Sequence, residues 1–219
     1  GEEGIEGAGD HVRRHAGAGV ADAEGDVLAG GDVAIAGGAG LTEERIRHSA
    51  AEPQNWLTYW GDYQGTHYSA LPQITASNVG RLQAAWARQL PGSSVLEATP
   101  LVVDGVMYTS GNWGAVYALD GATGKLLWTF TPKMDRKVGR DVCCDVVNRG
   151  VVVAASRVYV ATLDGQLYAL DARTGAIAWS ADTVVDHRQP YTSTGAPQLA
   201  GAVVLIGVLF SAIGGIGYA

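Results

Sequence analysis

The chain has 219 residues and a formal charge of -7 at pH 7, from 15 Lys and Arg against 22 Asp and Glu. No basic stripe runs along it, which argues against a nucleic-acid partner. A hydrophobic fraction of 47% and 31 glycines fit a globular chain rich in tight turns, long enough for one domain or part of a larger one.

Residues 1–50 hold most of the charge imbalance, with ten acidic and four basic side chains. This stretch is Gly/Ala-rich, lacks aromatic residues and shows no sustained period of a helix or strand. It is expected to be a low-complexity, disordered or loosely held tail. His11, His15 and the pair Arg13–Arg14 fit a solvated charged tail better than a metal or anion site. "LTEERIRHS" offers Thr42 as the cap of a short helix, although Arg45 stands where a full capping box has Glu or Gln. The chain begins with Gly rather than Met, so Gly1 is not expected to be the natural start. No secretory signal is visible, and one would lie upstream of Gly1.

From Asn55 the character changes, and all six tryptophans and nine tyrosines follow it. "ALDGATGKLLW" (118–128) and "ALDARTGAIAW" (169–179) share the frame A-L-D-x-x-T-G-x-x-x-W at an offset of 51 residues. The same offset pairs Tyr108 with Tyr159, Gly114 with Gly165 and Tyr117 with Tyr168. A fixed period of this length signals stacked supersecondary units. Within one unit, "LVVDGVMYTS", "AVYALD" and "KLLWTF" are β-rich runs joined by short turns. The Asp-x-x-Thr-Gly segment predicts a tight turn with Gly124 or Gly175 at positive φ, its N–H groups satisfied by the Asp and Thr side chains. Trp128 and Trp179 are expected to pack between neighbouring units.

Four short strands in about 50 residues describe a β-propeller blade. A third copy begins at "TGAPQLAGAVVLIG", with Gly201 taken as the counterpart of Gly105. Trp86 is taken as part of the closing strand of an earlier or circularly completed blade. The expected fold is therefore all-β, a partial β-propeller over 51–219 with two full blades and fragments of two more.

The only two cysteines, Cys143 and Cys144, are adjacent in "DVCCDVVNRG". A bridge between them closes no loop of consequence, so stability is a poor reason for one. On the residues alone, a pair of buried thiols stands beside a functional disulfide as an even alternative.

"NWLTYWGDYQGTHYSALPQITASNVGRLQAAW", "LEATPLVVDGVMYTS", "DVCCDVVNRGV" and "YTSTGAP" resemble the quinoprotein alcohol dehydrogenases, over about Pro53 to Gly207. The resemblance implies a periplasmic eight-bladed propeller. It also implies oxidation of a small alcohol with pyrroloquinoline quinone (PQQ) and a calcium or lanthanide ion, electrons leaving to a cytochrome. By that resemblance Cys143 and Cys144 form a vicinal disulfide that stacks on one face of the quinone. Arg149 would hydrogen-bond the quinone oxygens, and Glu97 and Thr194 would contact the cofactor's polar edge.

The pattern fails after Gly207. Register through Gly214, Gly217 and Tyr218 puts Ala212 where the family has a metal-ligating Glu, and Ile216 where it has Arg. Alanine offers a hard cation no side-chain oxygen. The other metal ligand, the catalytic aspartate and the tryptophan floor of the quinone site are expected beyond Ala219, so no catalytic or metal residue is assigned. Residues 199–219 carry no charge and have the length of a membrane span, with Gly207, Ser211 and Gly215 at small-residue spacing. A strand followed by a degenerate turn is preferred, because the stretch begins inside a blade motif. A frame error near Gly207 gives the same pattern. The expectation is an N-terminal fragment of a PQQ-dependent alcohol dehydrogenase, inactive alone. The alternatives are a non-catalytic propeller-repeat scaffold and a membrane-anchored remnant.

Overall fold

The computed structural model describes residues 20–21, 40–142, 144–207 and 209–210. Cys143, Ala212, Ile216 and the His11–His15 cluster lie outside them. Two four-stranded antiparallel meanders form the centre. The first comprises β2 (Leu101–Val103), β3 (Val106–Ser110), β4 (Val116–Asp120) and β5 (Leu126–Phe130). The second comprises β6 (Val152–Ala154), β7 (Arg157–Ala161), β8 (Gln166–Asp171) and β9 (Ile177–Asp182).

The 51-residue offset survives as register. Leu101 pairs with Tyr108 and Val152 with Tyr159, while Val106 pairs with Asp120 and Arg157 with Asp171. Even the ladder irregularity repeats, between Ala118 and Leu119 in one sheet and Ala169 and Leu170 in the other. A bulge at the same place in both units bends each outer strand alike. These are two blades of a β-propeller. One core joins them, with Val116, Ala118 and Trp128 from the first blade and Val158, Val160 and Leu170 from the second.

The Asp-x-x-Thr-Gly turns form as the sequence predicts. Asp120 Oδ1 accepts from the N–H groups of Ala122 and Thr123 and from the Thr123 hydroxyl, at 2.7–3.1 Å. Asp171 Oδ1 does the same with Arg173 and Thr174. Gly124 and Gly175 follow at φ +68° and +73°. The threonine hydroxyl is the chief cause that holds each carboxyl below its ordinary value. A depressed folded pKa contributes stability above the unfolded value of 3.8, and that contribution is lost as pH falls through the folded value. The urea midpoint should therefore drop as pH falls below about 3.8, less steeply in an Asp120→Asn/Asp171→Asn variant. Equal slopes in the two proteins would contradict this.

Trp128 lies on the turn of the second blade and donates from Nε1 to Ala172 O at 3.0 Å. A Cβ on Gly175 would stand 2.5 Å from the Trp128 ring, so glycine is needed there for close approach as well as for φ. Trp86 sits on the Gly124 turn in the same way and donates to Gly121 O at 3.2 Å. The expected strand at Trp86 is absent: the indole reaches its place from an irregular segment. None of the described strands pairs with that segment, and a strand without a ladder partner leaves its N–H groups unmade.

The third unit contributes a hairpin of β11 (Gln198–Ala200) and β12 (Val203–Leu205), extended by β1 (Val20–Ala21). Beside it, β10 (Tyr191–Thr192) pairs with β13 (Leu209–Phe210). Its register corrects the sequence alignment by one residue. Ala200 pairs with Val203 as Val103 pairs with Val106, so Gly201 matches Asp104 and not Gly105. Asp104, Ala155 and Gly201, all at this first turn position, share φ between +49° and +60°. The start of the uncharged stretch is thus sheet. No helix among the described residues is long and apolar enough to cross a membrane.

Part of the acidic N-terminal region belongs to this body. Leu41 is fully buried and bridges to Ala155, and a Cβ on Gly40 would collide with Ala155 O. Helix α1 (Glu43–Arg47) follows, capped by Thr42 as expected, with Ile46 buried. Arg45 pairs with Glu52 at 2.5 Å and with Asp104 at 2.7 Å, which ties α1 to the β2–β3 turn. Seven charged and polar residues around Ile46, from Thr42 to Ser49, hide this tether in what reads as tail.

Candidate functional site

Each of the three units is entered through an irregular segment that ends in its first strand, β2, β6 or β11. Glu97, Asn148 and Thr194 each stand four residues ahead of those strands, which begin at Leu101, Val152 and Gln198. Repetition therefore brings them to the same end of successive units. Arg149, next to Asn148, joins the three segments. Its Nη2 lies 3.2 Å from Glu97 Oε2, its Nη1 donates to Thr194 Oγ1 at 2.7 Å, and its backbone N–H donates to Thr194 O at 2.9 Å. Arg149 and Glu97 side chains are 34% and 39% exposed. An ion pair that wet is worth at most about 1 kcal/mol, so it orients the guanidinium more than it stabilises the fold.

What holds Arg149 in place is buried. Asn148 Nδ2 donates to Ala161 O at 2.8 Å, and its Oδ1 accepts from Ser110 Oγ at 2.7 Å and from Gly150 N at 3.1 Å. One amide thus links the end of β3 to the end of β7, across the two blades. Gly150 has φ +142°, and a Cβ there would press on Ala196 at 3.2 Å. Asn148→Ala leaves the Ala161 carbonyl and the Ser110 hydroxyl buried without this partner. A loss of about 1–3 kcal/mol in a urea titration is expected, and no loss would contradict the role. Glu97 is steadied similarly, since buried Asn112 accepts at Oδ1 from Ser94 N (2.8 Å) and Val95 N (3.1 Å), just ahead of it.

Three of the five residues singled out in the sequence, Glu97, Arg149 and Thr194, therefore touch. Of the other two, Cys143 lies outside the described residues. Cys144 is exposed, and no cysteine among the described residues is free. Sequence reasoning missed Asn148, Asn112 and Ser110. Asn148 was in view inside "DVVNRG", but its role depends on partners 38 residues before it and 13 after. Among the described residues no group of three or more His, Cys, Asp or Glu gathers as a metal site. A guanidinium backed by a carboxylate, with a hydroxyl alongside, suits a planar, oxygen-rich anionic ligand that takes two or more hydrogen bonds from one edge.

The family profile described as PQQ, glucose/ethanol/alcohol dehydrogenase, β-propeller domain, matches residues 56–210. The chain belongs to this family. Among its PQQ-family relatives is the quinohemoprotein alcohol dehydrogenase ADH-IIG of Pseudomonas putida, 48% identical over 163 residues, 74% of this chain and 23% of that protein. The 1-butanol dehydrogenase (cytochrome c) of Thauera butanivorans is 48% identical over 159 residues, 73% of this chain and 23% of that protein. The solved structure of ADHIIG from Pseudomonas putida HK5 superposes with a TM-score of 0.75 at 45% identity, over 82% of this chain and 26% of that one. A europium-containing methanol dehydrogenase superposes with a TM-score of 0.71 at 36% identity, over 76% of this chain and 29% of that one. The chain spans about a quarter of the length of these relatives.

Proposed function

We propose that Glu97, Arg149 and Thr194 grip pyrroloquinoline quinone, under a Cys143–Cys144 disulfide, as part of a periplasmic alcohol dehydrogenase. The observation that carries the proposal is Arg149 held between Glu97 and Thr194, charged and polar side chains from three separate entry segments. The residues fit the group. An acidic, flat quinone presents oxygens that match the Arg149 fork and the Thr194 hydroxyl. The bonded state of Cys144, with Cys143 the only other cysteine in the chain, supports the disulfide. A vicinal disulfide is a rigid, polarisable plate, suited to cover a ring that needs no hydrogen bonds on its face.

Glu97 holds the guanidinium in one orientation. Thr194 and Arg149 then fix the quinone edge, and the fixed positive charge favours the negative charge that develops on reduction. When bound, the quinone supplies the acceptor for the hydride that leaves the alcohol carbon. A cytochrome as electron acceptor is suggested by the 1-butanol dehydrogenase (cytochrome c), and a lanthanide ion by the europium-containing methanol dehydrogenase, with calcium the alternative that the sequence resemblance implies. Ala212 would withhold one ligand from that ion.

Equilibrium dialysis of the chain against PQQ tests the proposal. Saturable binding is expected, weakened in a Cys143→Ser/Cys144→Ser variant. No binding by the wild-type chain would favour the scaffold reading. With quinone, calcium and a primary alcohol, dye reduction by the chain alone is expected to stay at background, because no residue described here is placed as the base. Turnover above background would contradict that.

A further inference from the structure

The segment that carries the cysteines is fastened at a point the proposed function leaves unused. Trp113, in the β3–β4 connection, has φ +64° and ψ +18°. The left-handed region costs a bulky residue about 1–2 kcal/mol, and such strain collects where surroundings impose it. Here the conformation aims the Trp113 N–H at Val146 O, 2.8 Å away. It also turns the ring onto the segment before the cysteines. The Arg136 guanidinium carbon stands 4.2 Å from the ring centroid. A Cβ on Gly139 would lie 2.8 Å from Trp113 Cη2, so only glycine lets the chain pass this close. Asp145, at φ +66°, completes the turn, and its carboxylate accepts from Val146 N at 2.7 Å. Cys144 is thus bracketed by contacts to one tryptophan, Arg136 and Gly139 before it and Val146 after it.

The repeat shows that this tryptophan is not part of the blade plan. At the 51-residue offset its counterpart is Asp164, which accepts from the Thr162 hydroxyl in an ordinary turn. The other tryptophans described above, Trp86 and Trp128, serve the inter-blade contact. Beyond Val146 the chain runs through buried Val147 and the anchored Asn148 to Arg149. Trp113 therefore fastens the chain at Val146, between Cys144 and Arg149 in sequence.

We infer that Trp113, clamped by Arg136, is a positioning residue that holds the turn around Cys144 ahead of Arg149 and so sets quinone affinity. The inference rests on the quinone reading for its consequence, but not for its geometry. Two readouts on the full chain separate them: the rate of cysteine alkylation under mild reductant, read by mass spectrometry, and PQQ affinity by equilibrium dialysis. Trp113→Ala should speed alkylation and weaken PQQ binding by about 10-fold each, the effect of losing roughly 1.4 kcal/mol. Trp113→Phe, which keeps a ring for Arg136, should stay within about threefold of wild type in both. Arg136→Gln should fall between them and guards against a Trp113→Ala chain that fails to fold.

Alkylation in the Arg136→Gln and Trp113→Ala chains equal to wild type would overturn the positioning role of Trp113. So would a Trp113→Phe chain as impaired as Trp113→Ala. If the wild-type chain binds no PQQ, the functional reading falls, and alkylation alone decides whether Trp113 positions the cysteine turn.

Discussion

Trp128→Ala is expected to lower the unfolding free energy by about 3–5 kcal/mol, the cost of truncating a large buried aromatic. Trp128 is 9% exposed and belongs to the core that joins the two blades. Its indole covers the Gly175 turn, donates to Ala172 O and lies 6.0 Å, centroid to centroid, from Tyr108. Little can collapse into the space, because the turn opposite is held by Asp171 and Thr174 through their own hydrogen bonds. For a domain with a total stability of about 5–15 kcal/mol, this is a large fraction. Trp128→Phe should lose less, since it keeps a ring on Gly175 and forfeits one hydrogen bond. Urea unfolding followed by circular dichroism measures both. A loss below about 1 kcal/mol for Trp128→Ala would mean that the blades do not depend on this contact.

The second large effect is expected at Arg149. Replacing it by Ala removes charge-assisted hydrogen bonds worth about 1.5–3 kcal/mol, which weakens PQQ binding roughly 10- to 150-fold. Arg149→Lys should not restore affinity, because a single ammonium cannot reach Thr194, Glu97 and a ligand edge at once as the planar fork does. The stability change should be small, since the Arg149–Glu97 pair is more than one-third exposed on both sides. Affinity that falls while the urea midpoint holds would mark Arg149 as a ligand-binding residue. The reverse result, a lost midpoint with affinity unchanged, would mark it as structural.

The blades were legible because their determinants are local and repeated. An Asp, a Thr and a Gly within five residues specify a turn without any distant partner, and they do so twice at one spacing. Trp128 was legible by recurrence, and its contact proved to be the inter-blade one. Trp86 shows the limit of that logic: its contact recurs, but a strand also needs a neighbour, which no single motif supplies. Gly201 shows another. A hairpin turn has two central positions, and glycine suits both, so residue type alone did not fix the register. The α1 tether was hidden because Arg45 acts through Asp104, 59 residues away.

Glu97, Arg149 and Thr194 were singled out by motif resemblance, and they come into contact, while their role toward a cofactor is proposed. Asn148, Asn112 and Trp113 were not singled out. Their roles come from buried amide geometry and from a left-handed backbone angle, neither of which leaves a spacing pattern.

In the proposed site PQQ sits on the Arg149 edge beneath the cysteine pair. The most direct test is a crystal structure of this chain with PQQ bound. Quinone oxygens are expected within hydrogen-bond distance of the Arg149 guanidinium and the Thr194 hydroxyl, with the ring plane against Cys143 and Cys144. A quinone bound elsewhere, or one that leaves the Arg149–Glu97–Thr194 cluster untouched, would contradict it.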